Sequence, residues 1–190
     1  MFKNNEMNGL KRIATAIDHV NDWIGRCLAW LTLGMVLVTF GVVLMRYVFG
    51  LGSTIMQESV VYMHAIVFMG VAGYALVHNG HVRCDIFYGA ASPRAKAIID
   101  IIGTLVFLVP TCILIIWVSW PYAKASWAVL EGSPEGRMGI PAVFLLKSLI
   151  VLFAGLLGIQ AVSLLLQSTL FLAGAIPNRG RVDGEEGTGA

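Results

Sequence analysis

The stretch CLAWLTLGMVLVTFGVVLM, Cys27 to Met45, contains no charged side chain. About 20 apolar residues in an α-helix are enough to cross a hydrocarbon core of about 30 Å, at about 1.5 Å of rise per residue. Backbone groups in lipid must form their hydrogen bonds inside the protein, and a helix satisfies them within the segment. The stretch therefore predicts a transmembrane helix.

The rest of the chain repeats this pattern. Hydrophobic residues make up 57% and charged residues 13% of the sequence, and the mean hydropathy is +0.79, whereas soluble domains are far more polar. Three further runs lack charged residues: Ser59 to Val77, Ile101 to Ala123, and Ser148 to Ile176. The helix that contains the last run is expected to begin near Pro141. We therefore predict an all-α integral membrane protein with four transmembrane helices at about 26–46, 58–78, 99–122 and 141–170, in a membrane domain of residues 26–172.

The segments that flank this domain differ from each other. Residues 1–25 carry apolar side chains at intervals of three and four, namely Leu10, Ile13, Ile17, Val20 and Ile24. This spacing predicts an amphipathic helix, which we expect to lie in the inner interface and to turn into the membrane near Arg26. A signal peptide is the alternative, but the following apolar run is too long for one and no cleavage pattern follows it. Residues 173–190 are rich in glycine and charge, which predicts a disordered cytoplasmic tail.

Lysine and arginine in the connections predict the orientation. Nine lie on the side of the termini and four on the other side. The first group is Lys3, Lys11, Arg12, Arg26, Arg83, Arg94, Lys96, Arg179 and Arg181, and the second is Arg46, Lys124, Arg137 and Lys147. Because short cytoplasmic loops carry the excess of positive charge, both termini are predicted to be cytoplasmic. The formal net charge of +2 is too small and too scattered to indicate a nucleic-acid partner.

A cluster of possible ligands follows the second predicted helix in HNGHVRCDIF, His78 to Phe87. His78, His81, Cys84 and Asp85 are residue types that bind zinc. However, Asn79-Gly80 is predicted to end the helix, so that the two histidines are separated between a helix end and a loop. We therefore interpret the cluster as a polar helix terminus and predict no metal site. The three cysteines are isolated and imply no disulfide framework.

Two membrane functions can be weighed from the residues alone. A haem-binding anchor of an oxidoreductase needs histidines from facing helices, and here only His64 lies at depth. An ion-coupled carrier usually has carboxylates near the midplane, and no acidic residue lies at the centre of any predicted span. The pattern favours a non-catalytic accessory subunit without a cofactor, and the haem anchor remains the alternative.

Three quoted segments resemble a known family. They are LMRYVFG, which closes the first helix, MQESVVYMHAIVFMGVAGYALVHNGHVRCDIFY through the second, and GIPAVFLLKSLIVLFAGLLGIQAVSLLLQ in the fourth. They resemble the small membrane subunit of tripartite ATP-independent periplasmic (TRAP) transporters, the DctQ family, from about Arg26 to Gln167. The most specific part is an ordered set: Arg46, Glu58, Gly70, Gly73, Gly80-His81-Val82-Arg83 and Asp85. Cys84 departs from it, because a small aliphatic residue is expected there.

The resemblance implies a three-part system in the bacterial inner membrane. A periplasmic solute-binding protein would deliver the solute to a large membrane subunit that holds the transport and sodium sites, and this chain would be the small subunit. Family substrates are mostly carboxylates, and the driving force is an ion gradient, usually of sodium, without ATP hydrolysis. The implied partners are thus the large subunit, the binding protein and the lipid bilayer.

Several residues are candidates for structural or partner contacts. Arg46 and Glu58 are expected to pair across the first outer connection, and Arg83 with Asp85 to tie the inner corner that also contains His81. Small residues allow close helix approach at Gly70 and Gly73, and again at Ala154, Gly155 and Gly158. On the second helix, Gln57, His64 and His78 fall within one broad polar stripe, and Lys147 is expected to extend toward the periplasmic headgroups.

The outer connection from Lys124 to Pro141 is the candidate docking surface for the soluble binding protein. It carries both signs of charge, in Lys124, Glu131, Glu135 and Arg137. Complementary charges at an interface rim mainly steer encounter and set orientation. For the small residues of the second and fourth helices, the alternative is packing within this chain. For the charged residues of the outer connection, the alternative is a solvated loop without a partner.

Overall fold

A single long helix, α1, runs from Phe2 to Val48 in the computed structural model, which describes residues 2–78, 80 and 91–175. Its 47 residues measure about 70 Å. The predicted turn into the membrane near Arg26 is wrong, because the helix continues through this position without a break. The first 48 residues contain no proline, and the Arg26 side chain bonds to Asp22 one turn earlier at 2.8 Å. The amphipathic segment and the first span therefore form one continuous helix.

The second span consists of α2, Thr54–Gly70, and α3, Ala72–Val77, joined at Val71. The Ser53 hydroxyl caps its start by accepting a hydrogen bond from the Met56 amide. Val71 keeps a helical conformation, and its amide bonds to the Val67 carbonyl, so the two helices follow each other as one span.

The third span contains α4, Pro93–Gly103, a π-helical turn, Thr104–Leu108, and α5, Val109–Ala128. Ser92 caps α4, and Pro93 occupies the first turn, where its missing N–H costs nothing. The π-turn ends two residues before Pro110, and the Val109 amide bonds five residues back to the Thr104 carbonyl. Since proline cannot donate to the carbonyl four residues earlier, the wider turn accommodates it inside a continuous span.

The fourth span is α6, Val143–Leu172, and it follows an outer connection with a short 3₁₀ turn at Gly136–Met138. Gly174 has a φ of 75° and ends α6 together with a hydrogen bond from the Ala175 amide to the Leu170 carbonyl. Over the described residues, four helices are long and apolar enough to cross a membrane: Met7–Val48, Thr54–Val77, Pro93–Ala128 and Val143–Leu172. The predicted fold class, an all-α membrane protein with four spans, is confirmed.

Helix α6 is the centre of the bundle. It contacts α1, α2 and α3 on one side and α4 and α5 on the other. Its buried side includes Ala154 and Ala161, which have no exposed surface, and Leu157, which packs with Leu76 and Cys112. The outside of the bundle is apolar and is formed by large side chains such as Trp30, Phe107 and Trp117, each more than two-thirds exposed. In a membrane this outer surface faces lipid or another membrane protein.

Candidate functional site

A buried hydrogen-bond network joins α1 to α6. The carboxylate of Asp18 accepts three hydrogen bonds from α6: from Gln160 Nε2 at 2.7 Å, Ser163 Oγ at 2.7 Å and Gln167 Nε2 at 2.6 Å. Gln160 and Ser163 have no exposed surface. A carboxylate in an apolar environment is tolerated only when it is hydrogen-bonded, and three donors satisfy it here. We call Asp18, Asn21, Gln160, Ser163 and Gln167 the polar clasp.

Asn21 completes the clasp one turn further along α1. Its Nδ2 donates to Gln160 Oε1 at 2.7 Å, so Gln160 is held by both Asn21 and Asp18. The side chain of Asn21 is 2% exposed, and its Oδ1 has no hydrogen-bond partner among the described residues. Hydrogen bonds between helices stabilise membrane bundles where no water competes for the donors. The clasp therefore fixes α1 against α6 in one register.

The clasp determines which side of the N-terminal half of α1 faces the bundle. Three members of the apolar stripe, Leu10, Ile13 and Val20, point outward and are 40%, 52% and 56% exposed. The polar side faces inward through Asp18 and Asn21. Rules for soluble proteins place apolar residues inside, but in a bilayer the outside is apolar as well, so polar side chains are better placed between helices.

A second polar contact begins at Asp22, next to the clasp residue Asn21 on α1. Asp22 accepts from Arg26 Nε and bonds His78 Nε2, both at 2.8 Å. The His78 ring also packs on Tyr74, with centroids 4.2 Å apart. His78 thus ties the end of α3 to α1, consistent with a polar helix terminus. His81, Cys84, Arg83 and Asp85 lie outside the described residues, so the proposed contact between Arg83 and Asp85 stays a prediction.

Glycines allow this close approach of α1 to the second span. A Cβ at Gly70 would lie 2.4 Å from Leu28 Cδ1, and one at Gly73 would lie 2.2 Å from Asn21 Oδ1. Gly25 on α1 faces Tyr74 at a similar distance, since an added Cβ would lie 2.3 Å from two ring carbons. Gly70 and Gly73 are buried. In this chain these two glycines serve internal packing.

Glu58 anchors the outer connection to the second span. Its carboxylate accepts from the Ile140 amide at 2.5 Å and from the Ser133 hydroxyl. The predicted pair with Arg46 is wrong: the ion pairs of the described residues do not include it, and Arg46 is exposed. The loop supplies an amide and a hydroxyl that need an acceptor, and Glu58 satisfies both. The partners of Glu58 are therefore Ser133 and Ile140, which lie 75 and 82 positions further along the chain, and not the nearby Arg46.

We expect Glu58→Ala to loosen the outer connection. The change leaves the Ile140 amide and the Ser133 hydroxyl without their acceptor, and losing a partly buried hydrogen bond costs about 1–1.5 kcal/mol, or about a tenfold change in local opening. Trypsin cleavage after the exposed Arg137 in reconstituted vesicles measures this opening. Arg46→Ala is the matched control and should cleave at the wild-type rate. Equal cleavage rates for the two variants would contradict the anchoring role.

Glu131 and Lys147 form the second outer contact. Lys147 Nζ lies 2.5 Å from Glu131 Oε2 and 4.1 Å from the ring centroid of Tyr122, and Ser126 Oγ donates to the same carboxylate at 2.7 Å. The prediction that Lys147 extends toward the headgroups is therefore wrong, and its side chain is only 16% exposed. The ion pair binds the start of the loop to α6. Trp127 adds to this contact through a hydrogen bond from its Nε1 to Ser148 Oγ at 2.8 Å.

This contact should depend on pH in one direction. The hydrogen bonds from Lys147 and Ser126 hold the pKa of Glu131 below its usual range. A lowered pKa in the folded state means that the contribution to stability is complete above the unfolded pKa and is lost as the pH falls through the folded value. We expect the wild-type protein to melt at a higher temperature than Glu131→Gln at neutral pH, and the two melting temperatures to converge in acid. Glu135→Gln should keep the wild-type profile, and parallel profiles for wild type and Glu131→Gln would contradict the assignment.

The remaining candidates lie on the outer surface. Lys124, Glu135 and Arg137 are exposed at the loop end of the bundle. His64 is also exposed, on the outer side of α2, where its ring stacks on Phe68 at 6.1 Å between centroids. His64 therefore points away from the interior in which a bundle would hold haem, so the described geometry does not favour the haem anchor.

Sequence reasoning missed the polar clasp. A signal was present, because Gln160, Ser163 and Gln167 recur at intervals of three and four in the uncharged run from Ser148 to Ile176. Asp18 and Asn21 have the same spacing on α1. Two polar stripes of equal spacing on separate helices indicate that they pair, which the four-span pattern alone does not.

Comparison with known proteins adds one match. A family model described as the DctQ component of tripartite ATP-independent periplasmic transporters matches residues 35–170. The matched region begins within α1 and ends near the end of α6, so it covers the outer connection and the helix that carries Gln160. No curated protein and no solved structure matches the chain.

Proposed function

We propose that this chain is the small, non-catalytic permease subunit of a solute uptake system. The chain belongs to the family of DctQ components of tripartite ATP-independent periplasmic transporters. In this proposal a gradient-driven large subunit carries the solute, and a periplasmic binding protein delivers it. The solute class is a carboxylate, and sodium is the coupling ion. The family match over residues 35–170 is the observation that carries the proposal.

The use of polar groups in the bundle supports an accessory role. Asp18 is hydrogen-bonded by three side chains of α6. Glu58 and Glu131 hold the outer connection. A transport site needs ligands that can exchange partners with the solute or ion, whereas these carboxylates fix helices and loop to one another. The chain is built as a scaffold against which the large subunit operates.

Reconstitution tests the function directly. Vesicles that contain this chain and its large subunit should accumulate solute when given a binding protein and an inward sodium gradient. Vesicles with this chain alone should accumulate none. Co-purification of the two membrane subunits from detergent is the accompanying measurement. Sodium-driven accumulation by this chain alone would contradict the accessory role.

The proposed orientation has both termini in the cytoplasm. The nine-to-four distribution of lysine and arginine supports it. Tags at either end should be protected from a membrane-impermeant reagent in intact cells, while a cysteine at the exposed Glu135 should react. Labelling of either terminal tag in intact cells would contradict the proposed orientation.

The outer connection is the proposed docking surface for the binding protein. Lys124, Glu135 and Arg137 are exposed there, whereas Glu131 is engaged by Lys147, so Glu135 is the better acidic candidate. Because rim charges mainly steer encounter, Glu135→Lys should lower uptake at limiting binding protein more than at saturating binding protein. If the Glu135→Lys variant forms normal amounts of complex with the large subunit and its uptake at limiting binding protein is unchanged, the binding protein docks on the large subunit instead.

A further inference from the structure

Helix α2 has a stripe of exposed side chains on the outside of the bundle. Its members are spaced by four, three and four residues: Gln57, Val61, His64 and Phe68. Val61 is 55% and Phe68 is 68% exposed. This spacing lies along one line on the helix surface and matches the pattern by which two helices pack along a common seam.

His64, one of the two polar members of this stripe, lies at membrane depth. His64 is ten residues from the start of α2 and 13 residues before the end of α3, which places it about 15 Å from one end of the span and about 20 Å from the other. Within the described part of the chain, the His64 imidazole makes no hydrogen bond, and its ring contact is with Phe68. A polar N–H in hydrocarbon without a partner is costly.

Other exposed surface at similar depth has a different character. On α5 the outer face presents Leu114 and Val118, which are 62% and 63% exposed. Aliphatic side chains are suited to lipid acyl chains, whereas the imidazole of His64 is not. The exposed side of α2 is therefore better suited to contact with another protein than to contact with lipid.

We propose that a transmembrane helix of the large permease subunit packs along the stripe Gln57–Val61–His64–Phe68 and presents a hydrogen-bonding side chain opposite His64. This inference rests on the proposed function for the identity of the partner. Val61 is the small member between larger neighbours and gives the partner helix its closest approach. The hydrogen bond to His64 fixes the register of the two helices, because a shift by one turn would leave the imidazole against an apolar side chain.

Photo-crosslinking on two matched phenylalanines tests the location. A benzophenone amino acid replaces either Phe68, on the stripe, or Phe107, on the outer side of the third span, which is 71% exposed. Each variant is co-expressed with the large subunit and irradiated in membranes. The expected product is a crosslink to the large subunit from position 68 and none from position 107.

The possible outcomes separate the two proposals. If the unmodified subunits co-purify but position 68 gives no crosslink to the large subunit, or position 107 gives the stronger one, the interface is elsewhere and the proposed function stands. A crosslink from position 68 to a second copy of this chain would also overturn the assignment. If the unmodified subunits do not co-purify at all, the proposed function fails together with this inference.

Substitution of His64 tests the hydrogen bond. His64→Leu makes the stripe fully compatible with lipid, so the chain expressed alone should reach wild-type amounts in the membrane. The amount of complex should nevertheless fall about three- to tenfold, the range expected for one hydrogen bond between helices. His64→Gln keeps a donor and an acceptor and should retain most of the complex. Undiminished complex with His64→Leu would overturn the hydrogen-bonding role.

Discussion

Replacing Gly25 by alanine is expected to separate α1 from α3 and to lower the melting temperature of the purified protein more than any other single glycine substitution in the bundle. The added Cβ would lie 2.3 Å from two ring carbons of Tyr74 and 2.6 Å from its Cβ. The Tyr74 Cβ cannot move away without its backbone, so the two helices must shift. Overpacking of this kind costs about 1–3 kcal/mol, and contact with the Tyr74 Cβ, which is fixed to the backbone, places Gly25 at the upper end of that range.

Two controls distinguish this steric effect from a general effect of alanine. Gly155→Ala on α6 meets nothing within 4 Å and should melt close to wild type. The double variant Gly25→Ala/Tyr74→Ala removes the obstacle, and its melting temperature should be higher than additivity of the two single changes predicts. Strict additivity, or equal destabilisation by Gly155→Ala, would show that contact with Tyr74 is not the cause.

Removing the carboxylate of Asp18 should have the second large effect. Asp18→Ala removes the common acceptor of Gln160, Ser163 and Gln167, of which Gln160 and Ser163 have no exposed surface. Buried donors without partners cost about 1–3 kcal/mol each before relaxation, so a loss of about 3 kcal/mol is expected. Melting in detergent and hydrogen exchange along the N-terminal half of α1 measure it, since this segment is released first.

Asp22→Ala is the matched control, one turn along the same helix. The partners of Asp22 are Arg26, whose side chain is 73% exposed, and His78, whose side chain is 47% exposed. Both can be hydrated when the carboxylate is removed, so the change should cost much less than Asp18→Ala. A double variant with Asp18→Ala and Gln167→Leu should recover part of this loss, because the unpaired Gln167 amide is removed as well, whereas Gln160 is kept because Asn21 donates to it. Equal losses for Asp18→Ala and Asp22→Ala would mean that the clasp is not the main link between α1 and α6.

The four spans could be predicted from the sequence because length and hydropathy are local properties. Each uncharged run is long enough to cross a bilayer, and the structure has a helix at each. The caps are local too, as shown by Ser92 before Pro93. The contact of α1 with α6 could not be predicted in this way, because the spacing of apolar residues on α1 does not show which helix its polar side meets. Asp18 meets Gln160, Ser163 and Gln167 on the last span.

Partners of charged residues were the least predictable part of the site. Arg46 and Glu58 are close in sequence and opposite in charge, but Glu58 binds Ile140 and Ser133 from the outer connection. Lys147 lies near a membrane boundary, where an extended lysine side chain reaches the headgroups, but in the structure its Nζ pairs with Glu131 instead. Both choices depend on the path of the loop between α5 and α6, which no local pattern specifies.

The inverted arrangement of the bundle, with Gln160 and Ser163 buried and Trp30 and Trp117 outside, has a thermodynamic consequence. In a soluble domain, unfolding transfers apolar surface into water, which produces a large positive heat-capacity change and a curved dependence of stability on temperature. When this bundle comes apart within a bilayer, its apolar side chains stay in hydrocarbon and its separated polar groups find little water. Stability held by hydrogen bonds and close packing should then vary almost linearly with temperature, without the loss of hydrophobic stabilisation in the cold that limits soluble proteins.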